Sequence, residues 1–147
     1  MRGRSTGSWR GFIGSPTMNF LPARLVAEGG SLFLLPEGGV RLPVPPARAE
    51  RYGRFAGKAV VLGLRPEDFT NTWTEESRDG SGVVPLDVTV EIAEPLGSDT
   101  LVFSRLGTSE IVGRLSAAAA PAVGSQVRLN AHLNRMHLFD PDTGVAL

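Results

Sequence analysis

The sequence contains no cysteine, which excludes disulfides, thiolate zinc sites and cysteine nucleophiles. It has no excess of either charge, since 15 Lys and Arg balance 15 Asp and Glu, and Lys58 is the only lysine. Zero net charge without a basic run argues against nucleic acid as the main partner. No apolar run approaches the roughly 20 residues that a membrane helix needs. These absences leave a small globular domain as the main expectation.

The composition favours many short strands. Its 147 residues suit one ordinary domain or two small interlocked lobes. Apolar residues make up 41% of the chain, enough for a core, and the 18 glycines and 11 prolines supply tight turns. We expect residues 1–11, rich in Arg, Gly and Ser, to be a flexible N-terminal segment, followed by one domain over residues 12–147.

The chain is organised around a short apolar run, residues 59–64, whose Val60 and Val61 are β-branched. Such a run predicts a buried strand, and Pro66 ends it. Lobes over roughly residues 12–69 and 83–147 flank a polar linker, residues 70–82, in which Trp73 is the residue that favours burial. We expect residues 58–64 to pair with strands of the C-terminal lobe, so that the lobes interleave.

The N-terminal lobe predicts a meander of three strands, residues 23–28, 31–35 and 40–44, because Gly and Pro turns separate them. A short helix is expected over residues 46–52, with Pro46 in its first turn and Gly53 as its C-terminal cap. Its arginines, Arg48 among them, are interpreted as a solvated face.

The C-terminal lobe shows the clearest alternation. Over residues 83–96 the pattern places Leu86, Val88, Val90 and Ile92 on one buried face. Residues 101–106 and 110–116 predict a hairpin. Residues 127–134 alternate throughout, which directs His132 to the polar face.

No catalytic or metal constellation emerges. Residues 53–59 superficially resemble a phosphate-binding loop, but the glycine spacing is one residue short, and a strand follows in place of a helix. His132 and His137 fall on opposite faces of a continuous strand, which argues against a metal pair. Residues 140–144 lack the later Glu of a calcium loop and predict a turn capped by Asp side chains. The residues alone therefore indicate a mainly antiparallel β domain, barrel-like.

Four segments carry a family resemblance. They are Gly-Leu-Arg-Pro-Glu at 63–67, Phe-Ile-Gly-Ser-Pro-Thr-Met-Asn-Phe-Leu at 12–21, the spaced pattern between Val90 and Thr100, and the closing stretch at 137–144. They are similar to segments in the C-terminal regulatory domain of ATP-binding subunits of sugar-type ABC importers, the maltose and glycerol-3-phosphate group. The resemblance covers nearly the whole chain.

The resemblance implies a mainly β, OB-type barrel with two interleaved lobes and at most one or two short helices. It implies a non-catalytic regulatory and dimerisation domain that holds no cofactor, with ATP and Mg²⁺ in an ATPase domain absent here. Expected partners are a second copy in a weak homodimer, the ATPase domain, the permease through it and, in some members, a regulatory protein. Nucleic acid and direct membrane insertion are not expected. The implied location is the cytoplasmic face of the cell membrane.

Carried over by position, the interface or regulatory candidates are Glu94, Gly97, Gly124 and Phe139. Phe139 has a second interpretation as a core residue. Two positions depart from the family pattern: Asp68 replaces the usual His, and Asn130 stands where a small residue is common. These departures put any shared regulator-binding surface in doubt.

An alternative function remains open, a stand-alone OB-type module that binds a small oxyanion or single-stranded nucleic acid. Nucleic-acid barrels offer a basic groove with stacking aromatics. Here the net charge is zero and aromatic residues make up 7% of the chain, so the importer domain is the preferred hypothesis.

Overall fold

A computed structural model describes residues 18–71, 82–116 and 120–147. The expected flexible start, residues 1–11, and Trp73 lie outside the described residues. Eleven strands and one α-helix occur in the described part. The strands in chain order are β1 Asn19–Glu28, β2 Ser31–Pro36, β3 Leu42–Pro43, β4 Ala59–Leu64, β5 Phe69–Thr70, β6 Val83–Thr89, β7 Ile92–Pro95, β8 Asp99–Leu106, β9 Ser109–Ser116, β10 Gln126–His132 and β11 His137–Phe139.

The N-terminal meander forms as predicted. β1, β2 and β3 are successive antiparallel neighbours. Gly29 and Gly30 join β1 to β2 with φ angles of +58° and +82°, which side chains with a Cβ rarely adopt. β1 is longer than expected because it begins at Asn19. Its other edge pairs with β4, so the buried residues of both strands face one core.

The two halves of the chain interleave. β11 pairs with the free edge of β4, which completes a five-stranded sheet in the order β11-β4-β1-β2-β3. β5, from the N-terminal half, pairs in turn with β10. The prediction that residues 58–64 pair with a strand of the C-terminal half is therefore confirmed. The mainly β, OB-type fold class is also confirmed.

Two three-stranded sheets complete the fold, with the orders β5-β10-β6 and β7-β8-β9. The hairpin predicted around residues 101–116 is β8 and β9, joined at Gly107 and Thr108. Strands from all three sheets contribute to one continuous hydrophobic core, in which Leu25, Leu34 and Leu129 are fully buried.

The prediction for Ile92 was wrong. Residues 83–96 form two strands, and the side chain of Ile92 is 57% exposed. The Phe103 carbonyl accepts the N–H of Glu91 although Ile92 is its partner in the register. Two residues therefore oppose one, as in a β-bulge, and the extra residue shifts the alternation. Val90 stays buried, but the side chain of Ile92 turns outward.

The orientation predicted for His132 was also wrong, since His132 is buried. β10 lies between β5 and β6, and its last four residues, 129–132, are all buried. Alternation of polar and apolar residues indicates a solvent-exposed face only when nothing else packs against that side of the strand. At this end of β10 both faces are covered, so the polar positions of the pattern are inside.

The predicted helix, α1, spans Pro46–Tyr52. Gly53 follows it with φ −57°, in the right-handed region, and begins a 3-10 turn over Gly53–Phe55. The interpretation of Arg48 as solvated was wrong: its Nη1 and Nη2 donate to the carbonyls of Met136 and Asn134 at 2.5 and 2.7 Å. No helix of the described segments is long and apolar enough to cross a membrane.

Candidate functional site

Glu94 and Gly97 lie on the hairpin formed by β7 and β8. β7 is the outer strand of its sheet, and Glu94 is exposed. Gly97 has φ +98° with open space around its Cβ position, so it serves the turn and not a close packing contact. Leu96 beside it is 46% exposed. This end of the sheet presents apolar surface together with a carboxylate.

Gly124 lies close to the same hairpin. Its N–H donates to the carbonyl of Val90, 2.8 Å away, and the Val90 N–H donates to the carbonyl of Ser125. The loop that carries Gly124 is thereby held against the residues that lead into β7. Its neighbour Val123 is 70% exposed. The structure therefore places Gly124 beside the start of β7, whereas Glu94 lies within β7 and Gly97 in the turn at its other end. We call the exposed residues of this strand, its turn and the Gly124 loop the β7 surface: Ile92, Glu94, Leu96, Gly97, Val123 and Gly124.

Phe139 lies elsewhere, in β11 of the five-stranded sheet. It is half-buried, and its ring meets that of Phe20 edge to face at 5.8 Å between centroids. A Cβ on Gly63 would lie 2.7 Å from the Phe139 ring and from the sulfur of Met18. The glycine of the Gly-Leu-Arg-Pro-Glu segment thus leaves room for this aromatic contact. Phe139 is partly a packing residue and is separate from the β7 surface.

Asn19 was not singled out by the sequence, yet it joins two sheets. Its side chain is buried at 4% exposure. Nδ2 donates to the Val112 carbonyl at 2.9 Å, and Oδ1 accepts the Val112 N–H at 2.8 Å. The amide thus satisfies both main-chain groups of Val112, as a neighbouring strand would. These two hydrogen bonds link β1 to β9, and β9 pairs with β8, the second strand of the hairpin in the β7 surface.

A second junction joins the same sheets through two turns. The Glu37 carboxylate accepts hydrogen bonds from the hydroxyl and the N–H of Thr108. Gly38 and Gly107 approach so closely that a Cβ on Gly107 would lie 2.6 Å from the Cβ of Glu37. The hydroxyl bond, followed by the N–H bond, holds the pKa of Glu37 below its usual value. Local patterns did not indicate this long-range contact.

The Arg-Pro-Glu turn accounts for one departure from the family pattern. Asp68 Oδ2 accepts the N–H of Arg65 at 3.1 Å, and its other oxygen faces Arg135 at 3.4 Å. The carboxylate therefore closes the 3-10 turn Pro66–Asp68 and pairs with an arginine of the C-terminal half. The other departure, Asn130, is buried opposite Thr70 and Pro85.

The two histidines occupy different environments. His132 is buried in β10, whereas His137, in β11 after the 3-10 turn Leu133–Arg135, is exposed over much of its surface and covered over the rest. Partial burial lowers the pKa of His137, and the charges of Arg48 and Arg65 lower it further. Within the described part of the chain, no three His, Asp or Glu side chains are grouped to hold a metal ion.

Other motifs follow the sequence interpretation. Asp140 Oδ1 accepts the N–H groups of Asp142 and Thr143, which is the predicted Asp-capped turn. These bonds, that to Thr143 first, lower the pKa of Asp140. After the glycines at 53 and 57 the chain enters β4, so the predicted strand stands where a phosphate-binding loop needs a helix.

Comparison with protein families agrees with this architecture. Residues 62–139 match the TOBE domain, and residues 14–69 match the MalK OB fold domain. The TOBE match covers more than half of the chain, and the chain belongs to this family. The two matches overlap at residues 62–69, where β4 leads into β5. The family resemblance carried by the four sequence segments is confirmed.

Curated relatives are ATP-binding subunits of importers. The chain is 38% identical over 134 residues to the sn-glycerol-3-phosphate import ATP-binding protein UgpC of Burkholderia ambifaria, covering 91% of this chain and 35% of the relative. It is 37% identical over 133 residues to UgpC of Escherichia coli K12, covering 90% and 34%. The chain therefore spans about a third of the length of the curated relatives it matches.

A solved structure shares the fold at low identity. The cytoplasmic molybdate-binding protein ModG, with molybdate bound, superposes with a TM-score of 0.57 and 19% identity, covering 90% of this chain and 98% of that one. At this identity the likeness concerns the fold alone.

Proposed function

We propose that the chain is the non-catalytic C-terminal regulatory and dimerisation domain of the ATP-binding subunit of an ABC importer for a carbohydrate-type solute. One observation carries the proposal: 91% of the chain aligns with 35% of an sn-glycerol-3-phosphate import ATP-binding protein, and it does so at 38% identity. The TOBE match supports the same assignment. The solute itself is chosen by parts of a transporter outside this chain.

ATP and Mg²⁺ are assigned to the other two thirds of such a subunit, and this domain takes no cofactor. In support, the segment around Gly53 leads into a strand, where a phosphate-binding loop needs a helix. The proposed partners are the ATPase domain, the permease through that domain, a second copy and a regulatory protein. The proposed location is cytoplasmic, at the inner face of the cell membrane.

We place the contact with the second copy at the β7 surface. Its exposed apolar side chains are Ile92, Leu96 and Val123, and its free strand edge carries Pro95, which disfavours pairing with a further strand. The contact therefore rests on side chains. Such a small area gives low affinity, so we expect a monomer at micromolar concentration and a two-fold dimer at much higher concentration.

A matched pair of valines tests this placement. Val123 is 70% exposed in the β7 surface, and Val145 is 62% exposed outside it. In sedimentation equilibrium, Val123→Glu should abolish the dimer, whereas Val145→Glu should leave it intact. The placement is wrong if both variants dimerise like the wild type. Phe139→Ala, measured in the same way, tests the remaining candidate for a contact.

The assignment to an importer subunit is tested with a chimera in which this chain replaces the aligned third of the E. coli relative. We expect the chimera to hydrolyse ATP and to support glycerol-3-phosphate uptake in cells that lack the relative. The isolated chain should neither bind nor hydrolyse ATP. Saturable ATP binding to it in calorimetry at micromolar affinity would contradict the non-catalytic role.

The alternative, a binding module for a small oxyanion or single-stranded nucleic acid, stays a prediction. The likeness to ModG concerns the fold and carries no ligand to this chain. Titration with molybdate and with oligothymidylate distinguishes the two functions, since the importer domain should bind neither of them with micromolar affinity.

A further inference from the structure

The cations of the described residues fall into two groups. Five arginines have a carboxylate within 4.0 Å: Arg41, Arg105, Arg114, Arg128 and Arg135. The other described cations have no such ion pair, and all of them lie in the N-terminal half: Arg24, Arg48, Arg51, Arg54, Lys58 and Arg65. Residues 48–65 carry five basic residues and one acidic residue, Glu50, so the neutral chain has a local excess of positive charge.

The structure places three of these cations, Arg24, Arg54 and Lys58, side by side. Arg24 Nη1 donates to the Gly57 carbonyl at 3.0 Å, next to Lys58. Arg54 and Lys58 both lie over the ring of Phe55, at 5.1 and 6.0 Å from its centroid. β1, the 3-10 turn Gly53–Phe55 and the residues that lead into β4 thus meet at one place.

The excess of positive charge also reaches β11. Partial burial is the largest cause of the lowered pKa of His137. The positive charges of Arg48, Arg65 and Arg51 lower this pKa further, whereas the negative charge of Asp68 raises it. Arg48 is half-buried, and its guanidinium donates to two carbonyls. Arg65 follows the end of β4 opposite to Lys58 and is left out. We call the other exposed members of this group the basic surface: Arg24, Arg51, Arg54 and Lys58.

We propose that the basic surface binds an acidic segment of a partner protein. Three of its four members are arginines, whose planar guanidinium matches a carboxylate in a two-point contact. Arg24 and Arg51 each donate one N–H to a main-chain oxygen, that of Gly57 and that of Leu147, and Lys58 acts on Asp140. The remaining donors of these exposed guanidinium groups are available to the carboxylates of a partner.

Two other anionic partners fit less well. Single-stranded nucleic acid binds to basic grooves in which free aromatic faces stack on bases, but the cations of this protein already lie over the Phe55 ring. Membrane-surface helices place large apolar residues beside their cations. α1 exposes Pro46, Ala47, Glu50 and Arg51, none of which is a large apolar residue. The carboxylates of a protein are therefore the favoured anions.

The probe is a labelled 20-residue poly-L-glutamate peptide, titrated by fluorescence anisotropy at about 20 mM salt, where exposed charges are weakly screened. The test variant is Arg54→Gln/Lys58→Gln. The control, Arg105→Gln/Arg128→Gln, makes the same change in net charge at two exposed arginines outside the basic surface. We expect the test variant to bind about threefold to tenfold more weakly, since each exposed ion pair contributes little. The control should lose less than twofold.

Thermal melts of both variants check that the fold is retained. An equal loss in test and control would overturn the proposal, since it would indicate a response to net charge alone. Absence of binding by the folded wild type at low salt would overturn it as well. Phosphatidylglycerol vesicles and oligothymidylate form two further arms. Tighter binding of either one, weakened by the test variant only, would assign the surface to that class of anion and refute the acidic protein partner.

Discussion

Replacing Asn19 by Ala is expected to destabilise the domain strongly. The side chain is buried and satisfies both the N–H and the C=O of Val112. A buried main-chain group that loses its partner costs about 1–3 kcal/mol. With two such groups, we expect Asn19→Ala to lower the free energy of unfolding by about 2–6 kcal/mol, which for a domain of this size lowers the Tm by roughly 5–20 °C.

The measurement is thermal and urea unfolding followed by circular dichroism. Asn71→Ala is the matched control, because Asn71 accepts one N–H from the same strand, that of Ser116, at an exposed position. The control should cost less than about 1 kcal/mol. Asn19→Asp adds a pH test: its buried carboxylate faces the Val112 carbonyl, so its destabilisation should shrink as falling pH protonates it. Equal losses for Asn19→Ala and Asn71→Ala would refute the role of Asn19.

Two further predictions concern packing and pH. Gly63→Ala should cost about 1–3 kcal/mol in urea unfolding, because the added Cβ meets the sulfur of Met18 and the Phe139 ring; Phe139→Ala should relieve part of that cost, and strict additivity of the two would contradict the contact. Because the folded-state pKa of Glu37 is lowered by Thr108, its contribution to stability is present above pH 4.5 and lost as the pH falls through the folded value. The stability gap between wild type and Glu37→Gln should therefore close in acid, and a gap independent of pH down to pH 3 would contradict this.

Local patterns were sufficient for most strands. The glycine pair at 29–30 and the β-branched run in β4 define the meander and the central strand, and Pro46 marks the start of α1. These signals act over a few residues, where turn geometry and side-chain period limit the chain. The pairing of β4 with the C-terminal half also followed, because this strand lies where the two lobes must meet.

The predictions failed where contacts with distant segments of the chain determine whether a side chain is buried or exposed. Ile92 turns outward because of a bulge against Phe103, and His132 is buried because β10 is covered on both sides. Arg48 is half-buried because the chain from Asn134 to Met136, in and just after the 3-10 turn Leu133–Arg135, packs over it and supplies its two acceptors. The role of Asn19 had no local signal, because its side-chain amide bonds the main chain of Val112, a residue far away in the sequence. Tertiary contacts of this kind override local preference.

During synthesis, the N-terminal strands leave the ribosome well before the last strand of their sheet exists. Until β11 is made, one edge of β4 remains open, and its buried apolar residues lack part of their cover. Open edges of this kind are templates for aggregation. A chain that stops before Phe139 should therefore be recognised as incomplete by chaperones and proteases. In this way β11 makes a finished domain distinguishable from a prematurely terminated one.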